Sequence, residues 1–145
     1  MTAVRRLELT GPLAGTVGRC RDFAFNTLVD WCWLPSLDRR RQREVDDVLL
    51  VVSELVANAC LHAGGPTELA LYREPDRIRI EVTDRSPALP DPAPPADPAT
   101  PRGHGLRVVA LVASEWGARP ALAGKTVWAG VAGAGPRGAG GGRRL

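Results

Sequence analysis

The run VVSELVANACLH, residues 51–62, sets polar groups into an otherwise apolar stretch. Glu54, Asn58 and His62 follow one another at intervals of four. On a helix each lies about 40° from the last, so the three form one polar stripe along the cylinder. A carboxylate or carboxamide in apolar surroundings needs a partner. Glu54 could cap a neighbouring strand and Asn58 could bond between helices, or the stripe could be held ready for a ligand. The helical pattern continues on both sides. Val45, Val48, Leu49, Val52, Leu55, Val56 and Ala59 make one broad apolar face and Gly64-Gly65 ends it, which predicts a helix over residues 44–63.

Upstream, residues 4–9 alternate well enough for a first strand, closed by a Gly11-Pro12 turn. Residues 13–33 carry Leu13, Val17, Cys20, Ala24, Leu28 and Trp31 at three- and four-residue steps, an amphipathic helix that Pro35 stops. Residues 36–43, with Asp38 and the arginines 39, 40, 41 and 43, read as a solvated polar connection. Downstream, residues 68–72 and 77–82 alternate as two strands about an Arg73-Glu74-Pro75-Asp76 turn. The seven prolines from Pro87 to Pro101 exclude a helix or central strand, so a long loop is expected. Gly103-His104-Gly105 then opens a helix over residues 106–113, and residues 115–120 and 126–131 read as a closing strand pair. The order predicts an α+β two-layer sandwich, with helices packed on one face of a mixed sheet. Residues 1–132 would form one domain. Residues 133–145, Gly, Ala and Arg with almost nothing to bury, would be a disordered tail.

Composition narrows the function classes. A chain of 145 residues, 44% hydrophobic and 24% charged, supports one core without a metal or disulfide staple. The net charge is only +3, and acidic residues are interspersed with arginine, so a nucleic-acid partner is not expected. Lys125 is the only lysine among 19 basic residues. Cys20, Cys32 and Cys60 are odd in number and lack a CxxC spacing, which argues against a disulfide framework or zinc knuckle and for a reducing cytoplasm. No run has the length of a signal peptide or a membrane span.

Three further elements bear on chemistry. Thr83-Asp84-Arg85-Ser86-Pro87 puts a carboxylate at the exit of a predicted strand, where it can accept a hydrogen bond from an exocyclic amine. Arg102-Gly103-His104-Gly105-Leu106 places glycines where backbone amides and a helix N-terminus can meet phosphate oxygens. Gly124-Lys125-Thr126 mimics the end of a P-loop, but that motif's first glycine would fall on Arg119 and a strand follows where a helix is needed, so the P-loop reading is rejected.

In order and context these elements resemble the nucleotide-binding fold shared by histidine-kinase catalytic domains, a heat-shock chaperone and DNA gyrase, and within it the anti-sigma factor serine/threonine kinases. SELVANACLHAG looks like the superfamily's N box, TDRSPALP its first adenine-site box, RGHGLRVV its second glycine box and EWGARPALAGKTVWAGV its final strand pair. The resemblance covers residues 4–131. It implies a Mg-ATP-dependent protein kinase acting on an anti-sigma factor antagonist, with a sigma factor as a further partner and a possible homodimer. Asn58 would bind Mg²⁺, Glu54 would serve as general base, and Asp84 would bind the adenine amine. Gly103 and Gly105, with His104 between them, would lie against the phosphates, and Thr126 would support Asp84. Where the family often continues Asp-X-Gly-X-Gly, this chain has Arg85, Ser86 and Pro87 after Asp84. The same pocket would also serve a non-catalytic, nucleotide-gated binding module. A detached histidine-kinase domain fits less well, because His62 lies inside the helix of the ATP site.

Overall fold

The computed structural model describes residues 2–88 and 104–133. Along the chain come β1 (Ala3–Glu8), α1 (Thr16–Asp30), α2 (Arg39–His62), β2 (Pro66–Glu74), β3 (Arg77–Asp84), α3 (His104–Val112), β4 (Glu115–Ala121) and β5 (Gly124–Ala132). The strands make one sheet in the order β1-β2-β3-β5-β4. Alternation sends Leu69, Leu71, Ile78, Ile80, Val82, Val127, Ala129 and Val131 into the core, where they meet Cys20, Ala24 and Leu28 of α1, the valines of α2, and Leu106 and Val109 of α3. Each valine, leucine or isoleucine among them contributes about 1.5–3 kcal/mol when fully buried.

The α+β two-layer sandwich is as expected, but the sheet is antiparallel throughout and not mixed. Two helices separate β1 from β2, one running back along the sheet and the next returning, so the chain re-enters at the end where β1 finished. The single helix α3 does make β4 parallel to β3. Those two strands never meet, because β5, the hairpin partner of β4, lies between them.

The residues expected as a polar connection include the start of α2. Asp38 is its N-cap, extended in backbone and accepting a hydrogen bond from the Arg40 amide at 2.9 Å. A first turn so largely solvated carries no apolar period. Arg41 is the exception in that turn: it is buried, its guanidinium stacks 3.8 Å from the Trp33 ring, and it pairs with Glu44 at 3.2 Å. At the end of α1 the chain turns through a left-handed residue, Cys32 with φ 64°, while Trp33 N donates to Leu28 O and Cys32 N to Val29 O. This is the Schellman arrangement, and it delivers Trp33 into the core.

The face of the sheet away from the helices is covered by its own long side chains. Arg79 pairs with Glu81 at 2.7 Å and lies over Trp128, Arg119 reaches Glu81 at 2.9 Å, and Arg77 joins Glu74 and Glu115. Ion pairs at a solvent-facing sheet surface contribute only about 0–1 kcal/mol each, although Glu81 itself is buried beneath its arginines. Their aliphatic stems nevertheless shield a sheet that has no second helical layer. At the far end Gly133 is buried and donates to Asp76 O at 2.9 Å, so the first residue of the expected tail belongs to the domain. The rest of that tail, like the proline-rich stretch 89–103, lies outside the described residues. No helix among the described residues is long and apolar enough to cross a membrane.

Candidate functional site

Several elements terminate at one end of the sheet. Asp84, the last residue of β3, stands in register with Pro66 of β2 and Lys125 of β5. Pro66 follows the end of α2 by only a few residues, so the C-terminal turns of that helix rise beside Asp84. Ser114, just after α3, donates to Gly130 O at the opposite end of the sheet, through its amide at 2.8 Å and its hydroxyl at 3.0 Å. A helix the length of α3 spans about 13 Å, which carries its N-terminus back toward Asp84 and Lys125.

Alternation places Asp84 on the helix side of the sheet, in line with Ile80 and Val82. Its relative exposure is 3%, and Lys125 opposite it is at 5%. Lys125 Nζ lies 3.1 Å from Asp84 Oδ1 and 3.0 Å from Oδ2, and it donates to Ser86 O at 3.4 Å. Oδ1 also accepts from the Ser86 amide at 2.8 Å, an Asx turn that starts the loop after β3. The strand ends approach so closely here that Gly124 lies against Asp84 O and the backbone of Arg85.

The histidine kinase-like ATPase domain model matches residues 33–130. The chain belongs to this family. A comparison with curated proteins gives no match. The matched span begins at Trp33 and leaves β1 and α1 of this ATPase domain outside it. Membership makes ATP binding the general character of the domain.

Within the ATPase domain, Glu54 and Asn58 are half-buried on α2 and make no hydrogen bond or ion pair with any described residue. Neither the strand cap nor the interhelical bond considered for them is formed among those residues. They lie beside Val51, which is fully buried. Cys60, about 160° round the helix from Asn58, is on the side of α1: burial pushes the thiols of Cys20 and Cys60 up, that of Cys20 to about 11, and Arg19 of α1 draws both back. Since α2 packs against α3 as well, Glu54 and Asn58 occupy the α3 flank. His62 is exposed at the end of the helix.

Of the residues expected at the phosphates, Gly103 lies outside the described residues, and His104 and Gly105 are the first residues of α3. Their backbone amides belong to a helix N-terminus, where N–H groups lack intrahelical acceptors and carry partial positive charge. No cluster of three or more His, Cys, Asp or Glu among the described residues could hold a metal.

Thr126 departs from expectation. Its hydroxyl is 2.9 Å from that of Thr83, with which it stands in register. Being one residue off Lys125, it points to the opposite face of the sheet from Asp84. Lys125 occupies the place next to Asp84 that Thr126 was expected to fill. The signal for it was present in the sequence: a single lysine in a chain that otherwise uses arginine.

Proposed function

We propose that this ATPase domain is a Mg-ATP-dependent protein serine/threonine kinase whose substrate is an anti-sigma factor antagonist, and that it also holds a sigma factor, in a cytoplasmic partner-switching pathway. The observation that carries the reading is Glu54: a half-buried carboxylate with no partner among the described residues, one helical turn from an equally unpartnered Asn58. A structural carboxylate in that setting would be hydrogen-bonded. One left open is a proton acceptor.

The residues suit the group they would hold. Asn58 offers an amide oxygen and Glu54 a carboxylate, both hard donors, and a magnesium ion on a nucleotide takes most of its ligands from phosphate and water. ATP supplies the phosphoryl group, and the metal neutralises charge on the transferring phosphate. Asn58 would hold that metal, the amides opening α3 would face the phosphates, and Asp84 would accept from the base amine. Glu54 would take the proton from the incoming serine or threonine hydroxyl. Phe25 and Val29, exposed and one turn apart on α1, provide an apolar contact for a second copy of the chain.

The test is transfer of labelled phosphate from ATP to purified antagonist-type proteins. Label on one serine or threonine of such a protein supports the kinase. ATP-dependent capture of a sigma factor without transfer replaces it with the nucleotide-gated module.

A further inference from the structure

We propose that Lys125 reads the base: its ammonium donates a hydrogen bond to the purine ring nitrogen N1 while Asp84 Oδ2 accepts from the adjacent exocyclic amine. This rests on the ATP-binding reading above and adds to it a second recognition group, one that faces the nitrogen a carboxylate cannot bind.

The hydrogen-bond inventory leaves room for both contacts. Oδ1 is taken by the Ser86 amide and by Lys125, whereas Oδ2 has the ammonium only as an ion-pair neighbour at 3.0 Å. A carboxylate oxygen has two lone-pair sites, so Oδ2 retains at least one. The ammonium carries three protons. One lies along the 3.1 Å hydrogen bond to Oδ1 and one along the longer 3.4 Å contact to Ser86 O, which leaves the third without an acceptor among the described residues. That proton is the one a ring nitrogen can take over. A donor and an acceptor side by side complement the N1 acceptor and amine donor of adenine.

The choice of residue points the same way. Elsewhere this chain neutralises its acidic groups with arginine, as at Arg41–Glu44, Arg77–Glu74 and Arg119–Glu81. An arginine opposite Asp84 would commit its planar fork to the two carboxylate oxygens, whereas a lysine is a point donor with a proton left to turn toward a ring nitrogen. Stability alone does not explain the pair either. Two residues further along on the same face the corresponding rung is Val82 opposite Val127, and a buried ion pair rarely outperforms such an apolar pair.

The experiment is calorimetric titration of the full chain, in the presence of Mg²⁺, with ATP and with 1-deaza-ATP, which has C–H in place of N1. The parent should bind 1-deaza-ATP about tenfold or more weakly than ATP, a loss typical of one charge-assisted hydrogen bond. Lys125→Met should bind the two nucleotides equally. Lys125→Arg, which keeps the charge but commits its fork to the carboxylate and leaves no donor aimed at N1, should lose ATP affinity at least tenfold with its melting temperature retained. Equal affinity of the parent for both nucleotides overturns the proposal and leaves the ATP site standing, as does discrimination that persists in Lys125→Met or unchanged ATP affinity in a folded Lys125→Arg. A parent that binds neither nucleotide overturns the ATP reading together with it.

Discussion

Gly124 packs against the carbonyl oxygen of Asp84 so closely that a Cβ at position 124 would overlap it and the neighbouring backbone of Arg85. The contact joins the start of β5 to the end of β3, one residue from the Lys125–Asp84 pair. Gly124→Ala should therefore destabilise the domain by about 1–3 kcal/mol, the usual cost of forcing atoms into a filled space. It should also weaken nucleotide binding by spreading the pair. Urea denaturation and an ATP titration of the same variant check both effects, and parental values in the two assays would mean that the strand ends yield freely.

Glu54 and Asn58 sit on one flank of α2, yet the roles proposed for them differ. Glu54→Gln preserves size and hydrogen bonding but removes the proton acceptor, so phosphoryl transfer should fall by about 10² to 10⁴ while ATP still binds. Asn58→Ala should weaken Mg-ATP itself, because a metal ligand is lost. Single-turnover transfer and calorimetry separate the two. If Glu54→Gln unfolds the protein instead, the carboxylate has a structural task.

Cys32 is exposed and left-handed at the position after the α1 cap where helices favour glycine. A side chain there costs about 1–2 kcal/mol, and that of Cys32 is exposed. Cys32→Gly should raise stability by roughly 0.5–1 kcal/mol, the relief of strain being partly offset by the added freedom of the unfolded chain. Equilibrium unfolding in urea at constant m-value measures it. A drop in stability would indicate that the thiol makes a contact that outweighs the strain.

Burial pushes the Asp47 carboxyl above its ordinary value, Asp46 adds repulsion, and Arg43 opposes both. A carboxyl raised in the folded state favours folding only while protonated, and that advantage is lost as pH rises through its folded-state value. At neutral pH the charge is a liability. Asp47→Asn should therefore be more stable than the parent at pH 7, and the difference should disappear below about pH 4, where both side chains are neutral. Denaturation midpoints at the two pH values test this, and a variant equally stable or weaker at pH 7 would refute it.

What the chain discloses on reading, and what it conceals, follows from how far apart the interacting residues are. The stripe of Glu54 and Asn58 is visible because helical period is local, and Asp84 because strand exits are. The lone lysine stands out too, but its pairing does not, since Asp84 lies 41 positions away and only the register of β3 with β5 brings them together. The parity of that register also decides which side of the sheet Thr126 takes, and a shift of one residue inverts the answer. The direction of the strands was hidden for a similar reason: β3-α3-β4 reads as a parallel unit, and nothing within it announces that β5 will come between. The start of α2 went unread because its first turn, capped by Asp38, meets water on most sides.

The anchoring of Gly133 to Asp76 has a practical corollary for anyone who wishes to attach something to this protein. Residue 133 stands at the Arg77 end of β3, and Asp84 stands at the other end of the same strand. At about 3.3 Å per residue the two are roughly 23 Å apart. A fluorophore, a solid support or a second folded unit joined rigidly behind Gly133 is thus fastened at the antipode of the proposed base site. Immobilisation there leaves the Asp84 end of the sheet facing outward, and a reporter placed there would sense a nucleotide bound at that end only through the length of the sheet.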